Sequence, residues 1–583
     1  MNDDKEAEQL AWQETYQAWV AYPELNANLK KQLTAISDQE QLEDAFYQPM
    51  TFGTAGMRGI MGPGINRMNI YTVRQATEGL ARFMDTLDPA TKKRGVAISF
   101  DSRYHSELFA HEAAQVLGAH QIPSFVFDGL RPTPELSFAV RHLHTYAGIM
   151  ITASHNPKQY NGYKIYGPDG GQMPPKEADL ITRYVRQVTD LFHIKTVAIQ
   201  DLRAAKLMTL IGEDVDEAYL ANVKKITINQ NLVDEVGPKL KLVYSPLHGT
   251  GKMLGEKALT NAGFTQFKFV TPQAIADPEF ATVPYPNPEF PEAFDMAIKL
   301  GKQENADVLI ATDPDADRLG TAVRQPDGNY RLLNGNQIAA LMLDYILRAN
   351  QAAGTLPDNA VVIKSIVSTE LATQIAHHYH VKMLDVLTGF KFIGEKIKQY
   401  EADHSQTYMF GFEESYGSLI RPFVRDKDAI QGLLLLAEIA AFYQKQGKTL
   451  YDGLQDLFKQ YGYYAEKTVS QTFEGVSGHD KMAQLMTKFR ENQPTAFNGV
   501  KITAVEDFTQ QTKKFADGHQ EKMTLPTANV LKYLLADKTW IAVRPSGTEP
   551  KIKFYVGTIG KSETDAAAKL TAFEQALQDF AKA

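Results

Sequence analysis

Three aspartates stand at alternate positions in the stretch "TDPDADRLG". Asp313, Asp315 and Asp317 follow the apolar run "DVLIA", so a turn after a strand could fold their carboxylates inward. Several carboxylate oxygens together suit a hard divalent cation such as Mg²⁺. The loop is not an EF-hand, because its sixth position is Arg318 instead of Gly and its twelfth is Arg324 instead of Glu. A solvated acidic turn remains the alternative interpretation.

A lone serine follows the apolar strand pattern "GIMIT". Ser154 is followed by His155 and Asn156, which can hydrogen-bond nearby oxygens, and by Pro157, which fixes the backbone. A serine so placed is either a turn or capping residue or an activated hydroxyl. No Gly-x-Ser-x-Gly elbow surrounds it, so acyl transfer is poorly supported. Phosphoryl transfer fits better, since it needs a metal and cations around the serine.

A third motif, "VRPSGTEPKIK", combines cations, hydroxyls and a glycine. Glycine lets backbone N–H groups approach an anion, hydroxyls donate to it, and arginine matches two phosphate oxygens at once. This composition predicts a phosphate cradle, whereas a plain turn between two strands is the alternative. Its residues are Arg544, Ser546, Gly547 and Thr548.

Three further loops have residues that could bind a sugar. In "FGFEESYG", Glu413 and Ser415 stand two residues apart after an apolar strand, a spacing at which both can face adjacent hydroxyls. The loop "TGFKFIG" adds Lys391, and "VRDKD" adds Arg425 and Lys427. A surface turn and solvated lysines are the alternative interpretation of these loops.

The elements around these motifs alternate between short apolar runs and helical periodicity. "GVAISF" precedes a predicted helix over 106–120, and "AGIMIT" precedes one over 175–188. Two more segments of this kind follow, and the last hundred residues instead predict two β runs and an amphipathic helix. Strand–helix alternation is typical of α/β layers. The sequence therefore predicts three tandem α/β domains and a C-terminal α+β domain.

Bulk composition excludes several classes of protein. The 583 residues include 61 basic and 69 acidic ones, a net charge of −8 that argues against nucleic acid as a partner. The absence of cysteine excludes disulfides and thiolate chemistry. The acidic N-terminus lacks a signal-peptide pattern, which favours the cytoplasm. The apolar run over 432–443 contains Glu438 and is too short for a membrane span, so we expect a core helix.

The four motifs, in this order, resemble the α-D-phosphohexomutase family, closest to its phosphoglucomutase/phosphopentomutase branch. The resemblance runs from about residue 45 to about residue 575 and implies three related α/β domains and a distinct C-terminal domain around a central active-site cleft. We expect a helical extension over 1–44, followed by domains over 45–205 (phosphoserine loop), 206–324 (metal loop), 325–465 (sugar loop) and 466–583 (phosphate loop).

The resemblance also implies roles for individual residues. Ser154 becomes the phosphoserine and, with the three aspartates, a ligand of Mg²⁺. The loop "GTAGMRG" brings Arg58 to the reacting phosphate, Lys164 is the candidate proton acceptor, and His155 completes the catalytic set. The substrate is bound by Arg318, Lys391, Glu413, Ser415, Arg425, Lys427, Arg544, Ser546, Gly547 and Thr548. Lys391 is a departure, because some bacterial members that act on mannose and glucose phosphates have histidine there.

The implied reaction interconverts glucose 1-phosphate and glucose 6-phosphate through glucose 1,6-bisphosphate, which also serves as activator. A phosphopentomutase or phosphomannomutase is the alternative within the family, and the loop "GFEESYG" resembles the glucose type more than the mannose type. A phosphatase and a non-catalytic sugar-phosphate-binding protein are the alternatives outside it. The expected partners are sugar phosphates, with neither nucleic acid nor membrane, and the expected state is a monomer or weak dimer.

Overall fold

The computed structural model describes residues 2–50, 56–173, 175–473, 478–546 and 551–582. The chain forms two compact units. The first comprises Met1–Leu332, Gly394–Asp403 and Gly417–Ala441, and the second comprises Leu333–Ile393, His404–Tyr416 and Phe442–Ala583.

Three helices occupy the predicted N-terminal extension: α1 (Asn2–Ala21), α2 (Ala27–Ala35) and α3 (Gln39–Phe46). They pack through aromatic rings, with Trp19 edge-on to both Phe46 and Tyr71. The extension is thereby anchored to the α/β layer that follows, because Tyr71 belongs to the first helix of that layer.

The first sheet has the strand order β1-β5-β4-β2-β3-β6. Its strands are β1 (Met57–Ile60), β2 (Val96–Phe100), β3 (Ser124–Phe127), β4 (Ala147–Ile151), β5 (Tyr160–Tyr166) and β6 (Met208–Ile211). Its helices are α4 (Ile70–Asp85), α5 (Pro89–Lys92), α6 (Ser106–Ala119), α7 (Thr133–His142), α8 (Pro175–Arg186) and α9 (Ile199–Ala204).

The central strands β2 and β4 run parallel, with Phe100 opposite Ile151. Every residue of both strands is buried, as expected where helices cover both faces of a parallel sheet. Since parallel strands end at the same edge, the segments after Phe100 and Ile151 leave the sheet side by side. This edge holds the predicted phosphoserine.

The second sheet, in the order β11-β10-β9-β7-β8, also belongs to the first unit. Strands β9 and β10 form an antiparallel hairpin with Thr312 opposite Leu319, so the hairpin loop is the aspartate motif. The strands are β7 (Leu242–Ser245), β8 (Phe267–Phe269), β9 (Val308–Thr312), β10 (Leu319–Arg324) and β11 (Tyr330–Leu333). The helices are α10 (Glu213–Val223), α11 (Gln230–Val236), α12 (Gly251–Ala262) and α13 (Asp295–Glu304).

The third sheet is parallel where β12 pairs with β13 and with β14. The strands of this part of the chain are β12 (Ala360–Ser365), β13 (Lys382–Val386), β14 (Thr407–Phe412) and the short β15 (Ser418–Leu419). The helices are α14 (Gly335–Ala352), α15 (Glu370–His378), α16 (Phe390–Asp403), α17 (Ala429–Lys445) and α18 (Leu450–Tyr461).

Helix α17 contains the apolar run over 432–443 and buries it, which confirms the predicted core helix. None of the helices in the described part of the chain combines the length and the apolar character that a membrane crossing needs.

The fourth sheet is antiparallel, in the order β16-β23-β22-β21-β18-β19-β20, with β17 paired to β18. Its strands are β16 (Tyr463–Thr472), β17 (Ala496–Phe497), β18 (Val500–Asp507), β19 (Thr512–Phe515), β20 (Gln520–Lys522), β21 (Leu531–Leu535), β22 (Trp540–Pro545) and β23 (Lys551–Gly560). Helices α19 (Gly478–Glu491) and α20 (Glu563–Lys582) accompany it. Mixed α/β layers followed by an α+β region confirm the predicted fold class.

Candidate active site

The predicted nucleophile lies just past the end of β4. Ser154 is buried and has a backbone φ of 52°, in the left-handed region that residues with a side chain rarely adopt. Its hydroxyl lies 2.6 Å from Oδ2 of Asp313 and 3.1 Å from Nδ1 of His155. The structure thus brings together the serine and aspartate motifs, which are 159 residues apart in the sequence.

The three aspartates form one buried group. One carboxylate oxygen of each lies within 4.8 Å of those of the other two, an arrangement that can hold a metal ion. Asp313 Oδ1 accepts hydrogen bonds from the backbone N–H groups of Asp317 and Arg318, at 3.1 and 3.0 Å, which closes the loop. In the described chain, Oδ1 of Asp315 and Oδ1 of Asp317 are buried without a hydrogen-bond partner. Buried carboxylate oxygens left in this way fit a cation as their missing partner.

Two lysines supply positive charge on one side of the aspartates. Lys164 Nζ, on β5, donates to Asp315 Oδ2 at 3.0 Å and lies 3.9 Å from Asp317. Lys427 Nζ lies 3.0 Å from both Asp317 Oδ2 and Asp426 Oδ1. Two of the three lysines predicted for the site, Lys164 and Lys427, therefore lie beside the aspartates, and both already have carboxylate partners.

The aspartates compete for ionisation. Burial raises the pKa of Asp313 well above its usual range, and the charges of Asp315 and Asp317 raise it further. Burial and the charge of Asp315 likewise raise the pKa of Asp317, although Lys427 and Lys164 oppose them. The pKa of Asp315 is lowered in spite of burial, chiefly by the charge of Lys164. A divalent cation would relieve this repulsion, since it would be the largest local charge.

Two of the predicted arginines lie beside the centre with partners of their own. Arg58, on β1, donates to Asn156 Oδ1 at 2.9 Å and so contacts the serine loop. Arg318 pairs with Glu289. Residues 53–55 of the predicted loop around Arg58 lie outside the described residues. The substrate role of Arg318 stays a prediction.

Arg425 is placed differently from Lys427, although both were predicted to bind substrate. The Arg425 side chain is fully buried, pairs with Glu401 and donates to the backbone carbonyl of Pro422. Because its guanidinium is engaged within the fold, we expect Arg425 to support the loop and Lys427 to face the site.

Several supporting residues were missed by the sequence reasoning. Thr133, at the start of α7, donates its hydroxyl to Asp315 Oδ2 at 2.8 Å and its N–H to the Asp315 carbonyl at 2.9 Å. Asp101 and Arg103 follow β2 and are buried beside the serine loop. The signal that could have revealed Asp101 and Arg103 is "SFDSR": charged residues directly after a buried strand that neighbours the strand leading to Ser154.

The sugar-loop residues belong to the second unit. Glu413, just after β14, accepts a hydrogen bond at 2.8 Å from the N–H of Gly389. Lys391 lies in the first turn of α16, where a loop was expected, with Nζ 5.1 Å from the Phe392 ring centroid. Ser415 is partly buried in the turn after Glu413. The Glu413 loop and the segment that contains Gly389 and Lys391 are therefore adjacent.

The predicted phosphate cradle starts from the β22–β23 hairpin of the same unit. Arg544 of β22 lies opposite Lys553 of β23 in the antiparallel register. The Ser546 N–H donates to the Lys551 carbonyl at 2.7 Å. Burial raises the pKa of the neighbouring Tyr555 phenol, Glu414 and Glu413 also raise it, and Arg544 lowers it. The hairpin and the Glu413 loop thus share one electrostatic environment. Gly547 and Thr548 lie outside the described residues.

Comparison with known proteins identifies the family. The chain matches the four phosphoglucomutase/phosphomannomutase domain families: α/β/α domain I over residues 49–191, domain II over 217–328, domain III over 334–461 and the C-terminal domain over 488–575. It is 41% identical over 543 residues to a phosphoglucomutase of Staphylococcus aureus strain USA300, covering 92% of this chain and 94% of the relative.

Two solved structures share the fold at lower identity. A phosphoglucomutase/phosphomannomutase family protein from Burkholderia thailandensis is 18% identical, with a TM-score of 0.64 over 91% of this chain and 97% of that one. The open form of parafusin, a phosphoglucomutase from Paramecium, is 18% identical, with a TM-score of 0.65 over 92% of this chain and 96% of that one. Because all four domains match and the Staphylococcus aureus relative is 41% identical, the chain belongs to the α-D-phosphohexomutase family of mutases.

Proposed function

We propose that this chain is a phosphoglucomutase that interconverts α-D-glucose 1-phosphate and glucose 6-phosphate. The observation that carries the proposal is the contact of 2.6 Å between the Ser154 hydroxyl and Asp313, within a buried group of three aspartates. The 41% identity to a phosphoglucomutase over almost the whole chain supports glucose as the sugar. Ser154 in phosphorylated form would pass its phosphoryl group to the free hydroxyl of the substrate and later take one back.

The residues present fit a divalent cation, and we propose Mg²⁺. Asp313, Asp315, Asp317 and a Ser154 phosphate oxygen would hold it, because two buried carboxylate oxygens have no hydrogen-bond partner in the described chain. When bound, Mg²⁺ would neutralise negative charge that develops on the transferring phosphoryl group. All ligands are oxygens, as hard cations require.

The remaining residues of the site would accept a proton from the substrate or orient the phosphate on Ser154. Lys164 Nζ, which lies beside Asp315 and Asp317, is the candidate to take the proton of the attacking sugar hydroxyl, a role that requires its neutral amine form. His155 Nδ1, at 3.1 Å from the Ser154 hydroxyl, can hydrogen-bond the oxygen that carries the phosphate. Arg58, on β1, donates to Asn156 of the serine loop and can meet the phosphate itself. Fixed donors of this kind stabilise charge without reorganising during the reaction.

Recognition of the sugar and of its second phosphate falls to the second unit. Glu413 and Ser415 would form hydrogen bonds with the sugar hydroxyls. Lys391 and Arg544 would supply the positive charge that binds the second phosphate. Glucose 1,6-bisphosphate is symmetric in charge, so after it turns round the same cradle can hold its other phosphate. One serine and one cradle then serve both directions of the reaction. The cytoplasmic location and the monomer or weak dimer stay predictions.

The test compares substrates on the purified protein. With Mg²⁺ and a trace of glucose 1,6-bisphosphate, kcat/KM for glucose 1-phosphate should exceed that for ribose 1-phosphate or mannose 1-phosphate by at least about tenfold, or about 1.4 kcal/mol. A higher kcat/KM for ribose 1-phosphate or mannose 1-phosphate would show that glucose 1-phosphate is not the preferred substrate. Release of inorganic phosphate at the rate of turnover would instead indicate a phosphatase.

A further inference from the structure

Arg103 occupies an unusual position for a charged side chain. It is completely buried beneath the serine loop, with its guanidinium 4.9 Å from the ring centroid of Phe280. The phosphoryl transfer proposed above assigns it no role, because a side chain in this position has no surface from which to reach a sugar. A fully buried guanidinium is costly unless its N–H groups are used.

The guanidinium is used almost entirely by one loop. Its terminal nitrogens donate to the backbone carbonyls of Ser154 and Asn156 and, at 2.8 and 3.1 Å, to those of Pro157 and Tyr160. The planar fork of arginine suits several fixed acceptors, whereas lysine offers a single compact charge. Arg103 therefore ties together the whole backbone turn that begins at the predicted nucleophile.

The backbone N–H of Ser154 is linked, through Thr152, to Asp101, which forms an ion pair with Arg103. The Ser154 N–H donates to Thr152 Oγ1 at 2.8 Å, and the Thr152 hydroxyl donates to Asp101 Oδ2 at 2.6 Å. Asp101 in turn lies 3.2 Å from Arg103 Nε. Both the N–H and the carbonyl of Ser154 are thus fixed by the pair that follows strand β2.

Ser154 needs this support because its backbone conformation is strained. Ser154 has a φ of 52°, and a residue with a side chain keeps that conformation only where its surroundings impose it. The same conformation directs its hydroxyl at Asp313. If the loop relaxed, the serine would lose its place opposite the aspartates, although every residue that contacts substrate would remain.

We propose that Arg103, together with Asp101, is the positioning element that holds Ser154 in its left-handed conformation and so sets the rate of phosphoryl transfer. The inference deepens the proposed function and rests on it. Arg103 acts through the backbone of the serine loop, so its loss should affect the chemical step and leave substrate binding nearly unchanged.

The test is the kinetic effect of Arg103→Lys, which keeps the charge and loses the fork. We expect kcat per phosphorylated enzyme to fall by about 100-fold, as for a reacting group misplaced by about 1 Å, with KM changed less than about twofold. The matched control is Arg94→Lys. Arg94 also donates to two backbone carbonyls, those of His144 and Thr145, at 2.8 and 3.1 Å, but in a different loop.

A milder pair of variants covers the case in which Arg103→Lys does not fold. Thr152→Val keeps the shape and removes the hydrogen bond to the Ser154 N–H, so kcat should fall about tenfold, in line with one lost hydrogen bond. Thr152→Ser keeps the hydroxyl and should recover most of the rate. Intact mass would give the phosphorylated fraction, and circular dichroism would verify the fold.

The outcomes separate this inference from the proposed function. If folded, phosphorylated Arg103→Lys matches Arg94→Lys in kcat, or raises KM alone, the positioning role is wrong. Equal rates for Thr152→Val and Thr152→Ser would contradict it as well. If the unmodified protein has no mutase activity on glucose 1-phosphate, the proposed function fails before any variant is compared.

Discussion

The predicted chemical centre and the predicted sugar-binding loops are held in different ways. In the first unit, Ser154, Asp313 and Asp315 are buried, and side chains or backbone groups of other segments fix each of them. In the second unit, Glu413 is also buried and accepts a backbone hydrogen bond from Gly389, whereas Ser415 is partly exposed in a turn. Groups that react need a fixed geometry, whereas groups that recognise a ligand need polar atoms left for it. Substitutions in the first region should therefore lower kcat, and substitutions in the second should raise KM.

The largest effect is expected for Ser154→Ala. Removing the phosphate carrier should lower kcat by at least about 10⁴-fold, as removal of a nucleophile does in enzymes with covalent intermediates. The variant should fold normally, because the alanine leaves the loop hydrogen bonds of Arg103 in place. The measurement is steady-state turnover of glucose 1-phosphate, with Ser562→Ala as control. Substantial activity in Ser154→Ala would show that another residue carries the phosphate.

The next largest effect is expected for Asp315→Asn. The change removes one charge from the predicted metal site and weakens the contact with Lys164 at 3.0 Å. We expect kcat to fall by about 10²- to 10³-fold and the Mg²⁺ concentration for half-maximal activity to rise. Asp327→Asn is the matched control, since Asp327 is an exposed aspartate in a turn whose side chain caps Asn329. An unchanged Mg²⁺ titration would contradict the metal assignment.

A smaller effect, on KM more than on kcat, is expected for Glu413→Gln. The amide keeps the size of the side chain but loses a charged acceptor, a change worth about 1.5–3 kcal/mol when a ligand hydroxyl depends on it. KM for glucose 1-phosphate should rise by about tenfold or more, with the smaller change in kcat. Glu395→Gln, on the exposed side of α16, is the control. A fall in kcat at constant KM would erase the contrast between the two regions.

The smallest effect concerns stability of the second unit. Burial raises the pKa of Glu466 from its ordinary value of 4.5 to about 7, although Thr369 donates a hydrogen bond to it. An acid with a raised pKa stabilises the fold most when protonated, so its contribution is complete below 4.5 and is lost as pH rises through about 7. The Tm of the wild type should fall relative to that of Glu466→Gln between these values. Parallel Tm curves would contradict the assignment.

Some of this could be predicted from the sequence, because the relevant signals are local. Apolar runs alternating with helical patterns gave the α/β layers, and Ser154 and the three aspartates each follow a buried strand. Their meeting could be inferred only from the resemblance, since 159 residues separate Ser154 from Asp313. Arg103 and Thr133 escaped notice because their partners are backbone carbonyls and a distant carboxylate. The sequence predicts a loop at Lys391, whereas helix α16 already begins at Phe390, one residue after Gly389.

Intact mass spectrometry with site mapping tests the central claim most directly. The protein would be incubated with Mg²⁺ and glucose 1,6-bisphosphate, then with excess glucose 1-phosphate, and digested after each step. We expect a gain of one phosphoryl group, located on Ser154, that is retained while glucose 6-phosphate accumulates. Turnover without any phosphorylated form, or with the phosphate on another residue, would contradict it.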